Sequence, residues 1–168
     1  MTEAELYRLL QDVGVPCERV EHPPVFTYEE AEKLVPPLPG VHTKNLFLRD
    51  NKGRRHFLVV VGSQARVDLQ GLARSLEVSK LGMASPERLQ RILGVTPGAV
   101  TLLGVVNAKA GEVEIIIDTA VWDAGLPLHC HPLVNTATLS VPLEGVQRLL
   151  DTLGHTWRVC PVPSRDDD

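Results

Sequence analysis

The chain has 168 residues and a formal net charge of −4, with 43% hydrophobic and only 4% aromatic residues. That length suits one domain with a sizeable core, and the mild acidity excludes a protein built to coat long nucleic acid, though not a local grip on a few phosphates. Sparse aromatics exclude an extended base-stacking platform, and the longest apolar runs, "FLVVV" and "EIIID", are far too short for a membrane span.

Thr2 is placed to cap a helix and Glu5 to complete a capping box, with Leu6, Leu9, Leu10 and Val13 at helical spacing before Gly14. "PCERVEH" reads as a short strand closed by Pro23-Pro24, and Thr27 with Glu30 makes a second capping box opening "YEEAEKLV". Pro36 to Gly40, "PPLPG", is a stiff loop. The stretch "VHTKNLFLRD" then alternates as a strand. His42, Lys44, Leu46 and Leu48 share one side; Thr43, Asn45, Phe47 and Arg49 share the other. With the "DNKG" turn and "RHFLVVVG" it makes a β-hairpin.

Asp68 caps a helix carrying Leu69, Leu72, Ala73 and Leu76, and Ser85-Pro86-Glu87 opens another, with Leu89, Ile92 and Leu93, that Gly94 stops. "GAVTLLGVV" and "EVEIIID" read as two strands joined by "NAKAGE", and "TATLSV" as a shorter one. Pro142 opens a last helix with Val146, Leu149, Leu150 and Leu153 in register, and "TWRVCPV" is the final strand. Several strands are joined by turns too short for a crossover helix, which argues against a purely parallel sheet. The expected fold is a single compact α/β domain over residues 1–163, around a mixed or mostly antiparallel sheet. Residues 164–168 are expected to be a disordered acidic tail. The polar start "MTEAEL" is not that of a secretory signal, and three cysteines without C-x-x-C spacing fit a reducing cytoplasm.

Four places attract chemical interest. "HCHPLVNTAT" puts His129 and His131 on one face if extended, as a metal pair needs, but zinc requires a third protein ligand; the alternative is a loop of satisfied polar groups. Pro132 fixes the backbone after His131, holding the histidine in position. Ser63 follows a strand and a glycine, yet G-x-S-x-G is absent; the stretch is a turn, or a phosphate cradle formed by Gly62 to Arg66. Gly125 and Pro127 form either a loop bringing N–H groups to a ligand oxygen or an ordinary surface loop. Lys44 either packs its stem and reaches a pocket with its ammonium, or snorkels into water.

The ordered motifs "HPPVFTYEEAEKL", "GVHTKNLFLRDNKG", "FLVVVG", "RVDLQGLARSL", "SPERLQRILGVTPGAVTLLGVVN" and "HPLVNTATLSV" closely resemble the YbaK/ProX editing-domain family. The nearest branch is its free-standing prolyl-tRNA-synthetase-associated domain, the PrdX or ProXp-ala type. The resemblance covers most of the chain outside the tail. It implies a compact α/β domain with a mixed, largely antiparallel, barrel-like sheet and surrounding helices. It implies a trans-editing deacylase that hydrolyses the ester between a wrong amino acid and a tRNA 3′ end, here alanine on tRNA for proline. Matched residue by residue, the family's strand lysine is Lys44, the asparagine after it Asn45, and its late histidine-proline pair His131 and Pro132; its glycine loop is Gly125 to Leu128. By position, Phe26 and Leu46 would line a small apolar amino-acid pocket, with Asn135 as a further substrate contact. No metal or cofactor is implied. The expected partners are the mischarged tRNA(Pro) acceptor end and prolyl-tRNA synthetase, in the cytoplasm and without a membrane.

No Ser-His-Asp or Cys-His set is visible, and an aminoacyl ester is already labile, so direct attack by water is the expected chemistry. Lys44 would offset developing negative charge, while Asn45 and the Gly125 loop position the ester and terminal adenosine. Phosphate contacts are expected among Arg49, Lys52, Arg54 and Arg55 around the hairpin and Lys80, Arg88 and Arg91 nearby. The rival readings are a deacylase for cysteinyl, seryl or threonyl tRNA, a non-catalytic tRNA- or synthetase-binding module, and, more distantly, a metallohydrolase using His129 and His131.

Overall fold

The computed structural model describes residues 1–165, so the expected disorder of Asp166 to Asp168 falls outside the described residues. The chain is tied down through Arg165: Ser164 bridges Val67, and the Arg165 N–H donates to the Arg66 carbonyl at 2.7 Å.

Local signals act as read for most elements. Helix α1 (Glu3–Val13) has the full reciprocal capping box of Thr2 and Glu5 and ends on Gly14 at φ +80°. Strand β1 is Glu18–Glu21. In α2 (Tyr28–Leu34) Thr27 accepts from the Glu30 N–H, but the Glu30 carboxylate takes the Thr27 hydroxyl, so the second box is not reciprocal. The hairpin is β2 (Thr43–Asp50) and β3 (His56–Gly62), with Asn45 opposite Val60 and Lys44 opposite Val61. Its turn is closed by Asp50, which accepts from the Arg54 and Arg55 N–H groups. Helix α3 (Leu69–Ser75) and α4 (Pro86–Leu93) are capped by Asp68 and Ser85 as expected.

The "GAVTLLGVV" segment is not a strand. It forms two 3-10 turns, Pro97–Ala99 and Leu102–Asn107, in which Leu102, Leu103 and Val105 are buried. Gly104 presses on Leu93, and Asn107 Nδ2 donates to the Leu93 carbonyl, so this run caps α4 and fills the core beside it. An apolar run without clear alternation does not distinguish these outcomes. Three short elements escaped the sequence reading: β4 (Leu81–Met83), α5 (Thr119–Asp123) and β6 (Leu128–Cys130). The remaining elements are β5 (Val113–Asp118), β7 (Ala137–Val141), α6 (Leu143–Thr152) and β8 (Trp157–Cys160).

The strands form two sheets rather than one closed barrel. A five-stranded sheet has the order β4-β2-β3-β5-β8, antiparallel through the hairpin and parallel across β3-β5-β8; a three-stranded antiparallel sheet has the order β1-β7-β6. Residues 56–61 of β3 are all buried, as expected for a central strand covered on both faces. One face packs Phe47, Leu58, Val60 and Ile115 against α1, α4, α6 and the smaller sheet; the other packs Leu48, Phe57, Val59 and Ile116 against α3.

The two sheets meet where β2 begins. The Val41 N–H donates to the Pro127 carbonyl at 2.9 Å, and the His129 N–H donates to the Val41 carbonyl at 3.0 Å. Gly40, at φ +120°, permits that approach: a Cβ there would lie 2.4 Å from the Pro127 carbonyl oxygen. Gly40→Ala is therefore expected to cost at least about 2 kcal/mol and lower Tm by about 4–8 °C. Gly82→Ala, where nothing lies within 4 Å of an added Cβ, is the control and should stay near wild type. Thermal melts of the two variants check this, and a wild-type Tm for Gly40→Ala would refute it.

Candidate active site

At this junction lies a cavity of about 310 Å³. His42 and the first residues of β2, Thr43 to Asn45, form one wall; His129 to His131 form another; Val25 to Tyr28, leading into α2, and the Pro97-Gly98 turn complete it. The site sits where β2 leaves the sheet, so side chains from both strand faces reach one space.

Lys44 lines the cavity, and its ammonium donates to the Ala65 carbonyl at 2.5 Å. Burial, then the charges of Arg165 and Arg66, holds its pKa below the ordinary lysine range. Its ammonium has no carboxylate partner in a salt bridge among the described residues, so positive potential is directed at this wall.

Asn45 is oriented by its neighbour. The Thr43 hydroxyl donates to the His129 carbonyl at 2.9 Å, which leaves its oxygen to accept from Asn45 Nδ2 at 3.4 Å. Among the described residues, Asn45 Oδ1 is then buried without a partner. A buried acceptor left unpaired costs about 1–3 kcal/mol, a cost that a donor entering the site would remove.

The histidines are held individually. His131 Nδ1 lies 3.1 Å from the Ala137 carbonyl and so carries the proton, leaving Nε2 as the acceptor in the neutral ring. Its loop is fixed by buried Pro132 and by Leu133, a non-glycine residue at φ +70°. His22, whose ring is 6.3 Å from that of His131, is occupied by Thr138 and the Pro23 carbonyl. His129 Nε2 faces the Leu38 and Pro39 carbonyls, and its Nδ1 faces His42. Both His129 and His131 are pushed below the ordinary histidine range, chiefly by burial. Among the described residues no group of three His, Cys, Asp or Glu side chains converges on a metal position. Ser63 lines the cavity but has no histidine bonded to its hydroxyl among the described residues, and burial pushes the Cys130 thiol up to about 12.

Of the residues singled out from sequence, Lys44, Asn45, His131 and Phe26 meet here; Phe26 stands 70% exposed at the mouth, against Gly98. Asn135 does not line the cavity itself; its amide nitrogen lies 3.4 Å from where a Cβ on Gly98 would stand. Three expected contacts need correction. Leu46 packs with Leu48 toward α3, because alternation turns it to the sheet face opposite Asn45 and Phe47. Gly125 is exposed and ends α5 in a left-handed turn at φ +69°, its N–H bonded to the Trp122 carbonyl. Pro132 supports the His131 loop from beneath and does not line the cavity. His42, Thr43 and Thr138 are cavity residues that the sequence reading did not assign.

The fold is a two-sheet α/β domain with a small cavity at the sheet junction, and comparison identifies its class: residues 22–149 match the aminoacyl-tRNA editing domain family, and the chain belongs to that family. Its relatives place it in the prolyl-tRNA-synthetase-associated branch. It is 36% identical over 149 residues to the prolyl-tRNA editing protein ProX of Acetoanaerobium sticklandii, covering 89% of this chain and 90% of that protein. It is 37% identical over 153 residues to prolyl-tRNA synthetase associated domain-containing protein 1 of Danio rerio, covering 90% and 83%. Its fold is similar to that of a candidate trans-editing enzyme for prolyl tRNA synthetase, with TM-score 0.70, 20% identity and coverage of 98% and 99%.

The buried histidines set a pH dependence. The folded pKa values of His56, His129 and His131 are lowered, so the unfolded chain binds more protons as pH falls below about 6.5. Stability that is full above that pH is lost as pH falls through the window between the unfolded and folded values. Tm should drop between pH 7 and pH 5. His131→Asn, whose amide can still donate to the Ala137 carbonyl, should flatten that slope. A Tm independent of pH in this range would contradict the neutral buried histidines.

Proposed function

We propose that the protein is a trans-editing deacylase that hydrolyses the ester joining alanine to the 3′ end of tRNA(Pro), with water as the attacking group. The observation that carries this reading is the convergence of Lys44, Asn45 and His131 on one small cavity in a member of an aminoacyl-tRNA editing family. The relatives' names supply the link to prolyl-tRNA, and chemistry supplies the need. A synthetase pocket built for proline rejects alanine only by lost methylene contacts, about 1–3 kcal/mol, and a second, smaller site closes that gap.

In this reading the amino acid's methyl group packs on the apolar wall formed by Val25, Ala31, Val35 and Val100. The α-ammonium donates to the unpaired Asn45 Oδ1. Lys44 stabilises the oxyanion that forms when water adds to the ester carbonyl, a role suited to a cation that bonds the Ala65 carbonyl and has no carboxylate in a salt bridge among the described residues. Phe26 stacks on the terminal adenine at the mouth, and His131 Nε2 orients the substrate.

The RNA chain leaves over basic surface. Arg55 is bound through two nitrogens to Glu114, and Arg88 to His56 and the Gly53 carbonyl, so these two serve the fold. Arg66 and Arg165 lie close enough to Lys44 to depress its pKa and suit the phosphates nearest the ester. The hairpin turn, with Lys52 and Arg54, is about 20 Å along β2 from Lys44, within reach of the acceptor stem.

Deacylation of alanyl-, prolyl-, cysteinyl-, seryl- and threonyl-tRNA by the purified protein tests this, with alanyl-tRNA(Pro) expected to be hydrolysed fastest. Protection of the ester instead of turnover would identify a binding module. Lys44→Ala should reduce the rate by at least about 100-fold while the thermal melt is unchanged; hydrolysis at the wild-type rate would refute the mechanism. His131→Ala should lose only part of the activity. Binding of tRNA should weaken steeply with added salt, and a flat response would exclude the phosphate contacts.

A further inference from the structure

The cavity contains a histidine pair that the reading above leaves without a role. His129 Nε2 lies 3.1 Å from two carbonyl oxygens, those of Leu38 and Pro39. Two acceptors require a donor, so Nε2 carries the proton. Burial keeps the His129 ring neutral, and its Nδ1 is then a lone pair. The atom facing that lone pair, at 3.3 Å, is His42 Nδ1, which must therefore be the donor. With the Nδ1 proton committed to His129, the nitrogen of His42 available to accept a proton is Nε2. Among the described residues that nitrogen has no hydrogen-bond partner, and His42 is half-buried on the cavity wall, two residues before Lys44 and on its strand face.

We infer that His42 is the general base of the reaction, with His129 as its positioning residue. The arrangement follows the logic of a base whose far nitrogen is fixed by an acceptor. Here the acceptor is a neutral imidazole anchored by the proline-rich loop. The Tyr28 ring meets that of His42 edge-on, with centroids 6.1 Å apart.

The step rests on the ester-hydrolysis reading and balances without another reactant. His42 Nε2 takes a proton from water as the water oxygen bonds to the ester carbonyl carbon. The imidazolium keeps its Nδ1–H on His129. The tetrahedral species collapses, the bond from carbonyl carbon to ribose oxygen breaks, and His42 returns the proton to that oxygen. Amino acid and free 3′ end leave, and His42 is neutral again. The other titratable groups lining the two cavities that His42 borders are Tyr28, Glu32 and Lys33 of α2, Lys44 of its own strand, and Cys130 and His131 beside His129.

Single-turnover deacylation of alanyl-tRNA(Pro) from pH 5 to pH 9, beside binding of a non-hydrolysable amide-linked alanyl analogue, tests the assignment. His42→Ala should lose about 100- to 1,000-fold in rate, lose the base limb of the wild-type pH profile, and bind the analogue within twofold of wild type. Added imidazole should restore part of its rate. His129→Gln should cost less, and combining it with His42→Ala should cost no more than His42→Ala alone. A wild-type pH profile in His42→Ala, or a rate loss matched by lost analogue binding, would overturn the assignment. If the wild-type protein hydrolyses no aminoacyl ester, the deacylase reading fails on its own. ¹⁵N NMR of the free protein reads the hydrogen-bond argument separately: a proton on His42 Nδ1 supports it, and an Nε2–H tautomer refutes it.

Discussion

The site depends on two backbone hydrogen bonds, Val41 N–H to the Pro127 carbonyl and His129 N–H to the Val41 carbonyl. They join the start of β2 to β6, and so the five-stranded sheet to the three-stranded one. Each sheet has an apolar face to bury, and the shared core between them holds them together. Hydrophobic packing is non-directional, however, and would tolerate a small slide of one sheet over the other. The directional bonds at Val41 fix the register, and with it the separation of Lys44 and Asn45 from His129 and His131. Gly40 is the position where that register constrains the sequence most tightly, since any side chain there meets the Pro127 backbone.

The same junction makes the site electrostatically unusual for this molecule. Arg55, by contrast, is paired with Glu114 over the face of Phe57. At the cavity, among the described residues, the Lys44 ammonium bonds the Ala65 carbonyl with no carboxylate, and Asn45 Oδ1 is buried without a partner. Both leave stability unrealised. Such local deficits cluster where a ligand is meant to complete them, and the compensation comes from a core in which every residue of 56–61 is buried.

Much of this was legible in sequence because the signals were local. Capping residues placed α1, α2, α3 and α4, and alternation placed β2 and β3. The failures share one cause, which is dependence on contacts distant in sequence. The "TLLGVV" run is apolar because it packs on Leu93, and its turns are set by Thr101 and Asn107, so its hydrophobicity carried no strand signal. Strand β6 has only three residues and exists by pairing with β7 and Val41. The motif resemblance pointed to Lys44, Asn45 and His131, whereas the proposed partnership of His42 with His129 joins residues 87 apart and had no sequence signature.

Strand parity explains both the main error and the main surprise. Alternation correctly separated Lys44 and Leu46 from Asn45 and Phe47, and it was reasonable to expect Leu46 to share the pocket with Lys44. Inside the sheet that rule holds: Leu46 points to α3 and Phe47 to the opposite core. At the strand's beginning the sheet gives way to the cavity, and residues of both parities reach it. His42 and Lys44 arrive from one face, Thr43 and Asn45 from the other. In the proposed reaction the cation, the acceptor and the base all come from consecutive or alternate residues, 42 to 45, at one strand end. Residues of both parities reach one space here because the strand begins here, which is why the tie at Val41, rather than the hydrophobic centre of the hairpin, positions the cavity wall.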